Sequence, residues 1–339
     1  MTALPPTTGH LDLIRFAATL AEEGVAVVST QPEEPMGRDR FWAVCCAMER
    51  IGLDSGWNVR WRHGSVAQDP ESPGFWDMWR DILTDVGMQP GDLIVASEPY
   101  GQKLAEVMGG KFFPYDIDRS INPAKATQVR DDPFFHFYDI LPEFQNHLRT
   151  TVTIFGAEST GKSMLSDYLA ANLGGHWLFE YARPFLENTA NEITVESMTG
   201  IWKGQSALQR HGRDNLIDKP YIIQDTDLFS TVGYWQFRHW QPKIGAPPHE
   251  LVEEALTLKS ELYIITPSNI PFEEDPLRYG GTEREGSDAY WIAVCEDYGL
   301  PYVVLESADF NERLAEAMDL IKAIGQKKAK LIAYDRGGF

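Results

Sequence analysis

Cysteine is scarce in this chain, and so is anything that would anchor it in a membrane. Three cysteines in 339 residues, Cys45, Cys46 and Cys295, make neither a disulfide framework nor a spaced metal set, which points to a reducing, cytoplasmic setting. No apolar run reaches membrane-spanning length, and the first residues lack the basic start and apolar core of a secretory leader. Positive charge is in deficit too. A formal net charge of −20 opposes nonspecific attraction to a nucleic-acid backbone and suits small phosphorylated ligands held in local basic pockets. His63, His136, His211, His239 and His249 have no metal-ligand spacing, and the chain has no internal repeat and no low-complexity tract. What is there is an ordinary composition, 43% hydrophobic and 24% charged, in a chain long enough for two cores.

The most informative stretch is Thr151 to Gly175, TVTIFGAESTGKSMLSDYLAANLGG. Thr151 to Phe155 is a β-branched and aromatic run of strand length, and Met164, Leu165, Tyr168, Leu169 and Leu173 follow at helical spacing until Gly174-Gly175. Between them Gly156-Ala157-Glu158-Ser159-Thr160-Gly161-Lys162-Ser163 matches GxxxxGK(S/T) in the strand-loop-helix setting that the motif requires. Small residues let successive N–H groups close around phosphate oxygens, and the positive end of the following helix adds to the field. Lys162 is then expected at the β and γ phosphates of ATP or GTP, and the Ser163 hydroxyl in the shell of Mg²⁺.

Apolar strand candidates recur downstream at Trp177–Phe179, Tyr221–Ile223, Leu262–Ile265 and Tyr302–Leu305, separated by helical or mixed segments. That alternation predicts a parallel sheet covered by helices. Upstream, strands at Val25–Ser29, Trp57–Trp61 and Leu93–Ser97 alternate with helices at Leu11–Glu23, Arg38–Ile51 and Phe75–Val86, which predicts a second α/β domain. The seam is expected at Pro142–Arg149, a polar stretch opened by proline that hands over to the P-loop strand. The expected division is residues 1–145, residues 150–324 and a solvated tail, residues 325–339.

In open α/β sheets the chemistry collects beyond the carboxyl ends of the strands. Glu180-Tyr181-Ala182-Arg183, Asp225-Thr226-Asp227 and the loop Phe272 to Glu285 fall there. Phosphoryl transfer needs a carboxylate to orient or deprotonate the attacking hydroxyl, a carboxylate toward Mg²⁺ and arginines over the transferring group. Glu180, Asp225 or Asp227 can fill the carboxylate roles, with Asp225 the candidate for the metal, and Arg278 and Arg284 the arginine role. The bland alternatives are a helix cap for each carboxylate and a solvated surface position for each arginine.

GAESTGKS, then EYARPF at Glu180–Phe185, DTD at Asp225–Asp227 and EDPLR at Glu274–Arg278 resemble, in order and spacing, the ribosylnicotinamide kinase domain of NadR-type bifunctional proteins. The resemblance spans most of Thr151 to Ser307. In that family an aromatic residue just before the EY pair helps to sandwich the nicotinamide ring, which makes Phe179 and Tyr181 substrate candidates, with Arg183 beside them. Ala182 and Pro184 stand where the family has Gly and Glu.

The same resemblance implies a nicotinamide mononucleotide adenylyltransferase domain in the first half, a second doubly wound, Rossmann-type sheet with a GxFxPxHxGH signature near its start and ISxTxxR near its end. Pro5 to His10, PPTTGH, fits the core of the first, and Ala124 to Arg130, AKATQVR, fits the second, with Lys125 where serine is usual. Thr7, His10, Lys125, Thr127 and Arg130 are therefore the phosphate-binding candidates, and Tyr100, in the family-like SEPYG at Ser97–Gly101, a substrate candidate. Met1 takes the place of the first glycine of the signature, so the strand that leads into it is expected to be missing and the kinase half to be the more dependable. Trp76 and Trp79, three apart on one helix face, suit base stacking or plain core packing.

The resulting expectation is a cytoplasmic two-domain enzyme acting on ribosylnicotinamide, nicotinamide mononucleotide and ATP with Mg²⁺. No nucleic-acid or membrane partner and no DNA-binding segment before Thr7 are expected, and a homo-oligomer is compatible with this reading. The alternatives are a P-loop kinase for another nucleoside or small alcohol, and a nucleotide-sensing regulator without turnover.

Overall fold

The structure, a computed structural model, describes residues 1–53, 55–65, 70–189, 192–215, 218–273 and 287–333. It divides into two compact units, Met1–Leu148 with Lys327–Phe339, and Arg149–Gln326. Among the described residues no helix is long and apolar enough to cross a membrane.

The second unit is built on a five-stranded parallel sheet: β5 (Thr150–Phe155), β6 (His176–Leu178), β7 (Tyr221–Asp225), β8 (Leu262–Ile265) and β9 (Tyr302–Val304). Their order across the sheet is β6-β7-β5-β8-β9, so the P-loop strand lies at the centre between β7 and β8. Central strands buried on both faces need apolar side chains on both, and β7 and β8 are buried at every position. The chain order reverses around β5, which creates the crevice beyond the carboxyl ends of β5 and β7. The helices that matter for the site are α7 (Lys162–Leu173), α8 (Ala182–Glu187), α9 (Val195–Asn215), α10 (Leu228–Gln236), α13 (Ser287–Asp297) and α14 (Phe310–Ala329). Phe155, Tyr263, Trp235 and Trp291 anchor the core, and Phe155 meets Trp291 edge-on with centroids 4.7 Å apart. Asp309 Oδ1 accepts from Asn311 N and Glu312 N and starts α14.

The first unit carries two parallel pairs: β1 (Gly24–Thr30) with β2 (Trp57–His63), and β3 (Leu93–Ala96) with β4 (Lys111–Pro114). They are linked through α1 (Thr8–Leu20), α2 (Gly37–Arg50), α3 (Phe75–Asp85) and α4 (Tyr100–Met108). Where a strand was expected to be missing, Met1 pairs with β1: its amino group donates to Val27 O at 2.7 Å and Ser29 N donates to Met1 O at 2.9 Å, as a ladder neighbour would. Strand β4, Lys-Phe-Phe-Pro, escapes sequence reading because four residues with lysine and proline give no periodic signal.

The seam stretch Pro142–Arg149 carries α6 (Pro142–Gln145), with Phe144, Gln145 and Leu148 fully buried, and the units divide between Leu148 and Arg149. Residues 325–329 continue α14 rather than open a solvated tail. Ile332, 0% exposed, packs in the first unit with Val129, Phe137, Ile140, Phe144 and Leu148, because one apolar side chain in a polar run can still fill a core slot. Ile332→Ala is expected to cost about 2–4 kcal/mol of first-unit stability, read by denaturant unfolding.

Candidate functional site

The phosphate loop connects β5 to α7 and is shaped by a close approach to β8. Gly156 has φ +125°, and a Cβ there would stand 2.8 Å from Thr266 O. Thr160 Oγ1 lies 2.6 Å from Thr266 Oγ1 and donates to Ala157 O at 2.9 Å, so the loop is tied to itself and to the residue after β8. Lys162 Nζ donates to Ala157 O at 2.7 Å, folding the ammonium over the loop.

A cavity of about 420 Å³ opens on this loop. One wall is the P-loop from Glu158 to Met164, and next to it stand Glu180, Arg183 and Thr226. Leu186, Ile193, Met198, Ile201, Tyr234 and Trp240 make up the apolar part of its lining. A phosphate nest combined with aromatic and aliphatic lining fits a nucleoside-sized acceptor beside a nucleotide.

The two aspartates of the DTD turn have separate employment. Thr226 between them has φ +71°, a strained value for a β-branched residue. Asp225 is buried at the end of β7, and its carboxylate accepts from the Ser163 hydroxyl. Its Oδ1 is buried without a hydrogen-bond partner. Burial raises its pKa, against the opposing pull of Lys162, Ser163 and Arg183. An unsatisfied carboxylate oxygen beside a P-loop hydroxyl is an oxygen donor pair that fits Mg²⁺. Asp227, 1% exposed, is the N-cap of α10: Oδ1 accepts from Phe229 N at 2.9 Å and Ser230 N at 3.2 Å, and Oδ2 from the Tyr263 hydroxyl at 2.6 Å. With both oxygens occupied, Asp227 serves as a structural cap.

Glu180 does line the cavity. Its pKa is raised to about 7, first by burial and then by Asp225, with Lys162 and Arg183 pulling the other way. The aromatics flanking it are not beside it in the cavity. Phe179 is 43% exposed and outside the lining. Tyr181 N donates to Gln205 Oε1 at 3.0 Å, and its ring occupies the space over Gly204, where an added Cβ would lie 1.9 Å from it. Consecutive residues leaving a strand turn to different sides, and the glycine on α9 takes the ring of Tyr181. Tyr234 and Trp240 are the aromatics that reach the cavity instead. Sequence reading missed them, along with Thr266, Gln205 and Arg313; the dense aromatics of GYWQFRHW were the available signal. Arg278 and Arg284 lie outside the described residues.

In the first unit Thr7, 1% exposed, is the N-cap of α1. Its N–H donates to His10 Nδ1 at 2.9 Å, and its hydroxyl lies 2.7 Å from the same nitrogen. The Nε2–H tautomer follows from that bond and leaves a donor available for an anion. The His10 pKa is pushed down to about 3, first by burial, then by the nearby amino terminus and Arg119. Arg130, on α5 (Ala126–Asp131), donates to Leu4 O and, at 3.2 Å, to Thr127 Oγ1, so the two signature segments meet. Lys125 and Thr127 are exposed at the start of that helix. Tyr100 opens α4 and is 42% exposed, edge-on to Phe75 at 6.4 Å. Trp76 and Trp79 pack against Ile94, Leu104, Ala105 and Met108, the core role.

Residues 151–313 match the family described as AAA domain. The trifunctional NAD biosynthesis/regulator protein NadR of Salmonella typhimurium is 23% identical over 94% of this chain and 80% of its own length. Crystal structures of NadR protein, one in complex with NR and one with NAD and AMP-PNP, match 100% of this chain and 96% and 97% of theirs, with TM-scores of 0.59 and 0.60 at 20% identity. The chain is similar to NadR along nearly its whole length. The likeness to the NadR structures runs through both units and establishes the fold of each.

Two expectations follow from the geometry. Asp227→Ala should destabilise the protein by about 1–3 kcal/mol by removing a cap and orphaning the Tyr263 hydroxyl, whereas Asp225→Asn should keep the melting temperature and lower phosphoryl transfer by roughly 10²-fold or more. Unfolded His10 takes up its proton at 6.5 and the folded residue only near 3, so the stability it contributes is present above 6.5 and is lost as pH falls from there towards 3. His10→Gln should flatten that part of the stability curve, and the imidazole of the native protein should titrate near 3 by NMR.

Proposed function

We propose that the chain is an enzyme of NAD salvage whose second unit phosphorylates the 5′-hydroxyl of ribosylnicotinamide with ATP and whose first unit adenylylates the resulting nicotinamide mononucleotide. The observation that carries this reading is a cavity whose lining joins the P-loop, Glu180 and Arg183 with Tyr234 and Trp240. Aromatic faces attract a cationic pyridinium through the ring quadrupole, and the surrounding aliphatic side chains exclude water from it.

In the second unit the N–H groups of the loop and Lys162 hold the triphosphate. Ser163 and Asp225 would hold Mg²⁺, which when bound neutralises charge on the β and γ phosphates. With Asp225 directed to Ser163 and Asp227 spent as a cap, Glu180 is the proton acceptor. The 5′-oxygen attacks the γ phosphorus, the bond to the β-phosphate oxygen breaks, ADP leaves and the hydroxyl proton passes to Glu180. Its elevated pKa keeps the carboxylate basic enough for that transfer at neutral pH. Arg183, which lines the same cavity, supplies positive charge to the transferring group.

In the first unit the mononucleotide phosphate is already a nucleophile. The chemistry then reduces to aligning it with the α phosphorus of ATP and stabilising departing pyrophosphate. Neutral His10 donating through Nε2, with Lys125 and Thr127 at the start of α5 and Arg130 in its last turn, serves that purpose. NadR of Salmonella typhimurium carries NAD biosynthesis in its name, and NadR structures contain NR, NAD and AMP-PNP, which supports the same substrates here.

The decisive measurement is a mass-resolved incubation of the protein with ribosylnicotinamide and MgATP. Mononucleotide is expected first and dinucleotide after it. Lys162→Ala should abolish the first product and spare conversion of supplied mononucleotide. ADP release with some other nucleoside in a panel, and none with ribosylnicotinamide, would transfer the second unit to a different acceptor.

A further inference from the structure

The phosphate loop is gripped from outside its own motif by a buried cation far along the chain. Arg313, in the first turn of α14, is 3% exposed and lies on the cavity wall. Its Nη1 donates to Thr160 O at 3.0 Å and its Nε to Asp309 O at 3.4 Å. The guanidinium carbon stands 5.9 Å from the centroid of the Phe310 ring. Nη1 and Nη2 both face Gly161, 3.7 and 3.8 Å from where a Cβ would stand.

Two consequences follow from elementary chemistry. A trans peptide points its C=O and N–H in opposite directions, so clamping Thr160 O fixes the direction of Gly161 N–H, one of the donors of the loop. The hydrogen bonds of Arg313 go to backbone carbonyls rather than to a carboxylate, so a desolvated positive charge stands at the loop for an anionic ligand to meet. Lys162 acts from inside the motif, bonded to Ala157 O, at a different peptide.

We propose that Arg313 is a positioning residue for the donor nucleotide: it holds the Thr160–Gly161 peptide in the orientation that binds phosphate and adds its charge to the field felt by a nucleoside triphosphate. This rests on the reading of the second unit as an ATP-dependent kinase.

The test compares the whole protein with Arg313→Gln and Arg313→Lys, measuring MgATP binding by calorimetry without acceptor, steady-state kinetics for ATP and acceptor, and melting of the nucleotide-free protein. Arg313→Gln is expected to raise the Kd and KM for ATP about tenfold or more, the usual scale for losing a charged hydrogen-bond donor, while the acceptor KM stays within about twofold. Arg313→Lys should recover part of the ATP affinity, because an ammonium still donates to Thr160 O without the fork of a guanidinium. Unchanged ATP affinity in Arg313→Gln, or equal losses for ATP and acceptor that track a fall in melting temperature and that lysine does not relieve, would overturn the proposal. Where the Gln variant does not fold, Arg313→Lys alone decides it: the KM for ATP must rise and the acceptor KM must not. A native protein that binds no MgATP would instead overturn the kinase reading itself.

Discussion

The left-handed backbone of Thr226 governs the chemistry of the second unit. A β-branched residue at φ +71° costs on the order of 1–3 kcal/mol and persists only where its surroundings over-determine it. The surroundings do so here: Asp225 ends a strand buried on both faces, and two residues on Asp227 caps α10 with two hydrogen bonds at 3.2 Å or less and accepts a third from the Tyr263 hydroxyl. The turn lets neighbouring carboxylates part company, one toward Ser163 and the P-loop, the other into the fold with Tyr263. Had the backbone run on as extended strand, residues two apart would share a side and both charges would crowd one place.

Charge balance in the cavity follows from that separation. Glu180 and the buried Asp225 both feel the cations Lys162 and Arg183 in a partly desolvated space, and Glu158, Glu273 and Arg313 line the same cavity. Burial dominates both shifts and raises both pKa values, so the site holds its carboxylates closer to neutrality than water would. A bound triphosphate and its cation would reset this balance. The first unit uses the opposite device: His10 is kept neutral, so its donor acts by direction rather than by charge.

What was legible in the sequence was whatever depends on adjacent residues. The P-loop must be contiguous because consecutive amides make it, and the βα alternation that predicted a parallel sheet is a local rhythm. The candidate carboxylates were legible as a set but not in their duties. Asp227 could be told from Asp225 only through the strained residue between them, and φ is not written in a side chain. Phe179 and Tyr181 were drawn to the site by closeness to Glu180 in the chain, yet Tyr181 is spoken for by Gly204, some twenty residues away on another helix. Arg313 stands about one hundred and fifty residues from the peptide it holds, and nothing in its neighbourhood sets it apart from other helical arginines.

Ile332 gives the two units different timetables during synthesis. The second unit is one uninterrupted segment, Arg149–Gln326, and can close its core as soon as that segment clears the ribosome. The first unit starts with Met1 but keeps an empty slot among Val129, Phe137 and Phe144 until residue 332 has been made. The half that is translated first is therefore the half that is finished last.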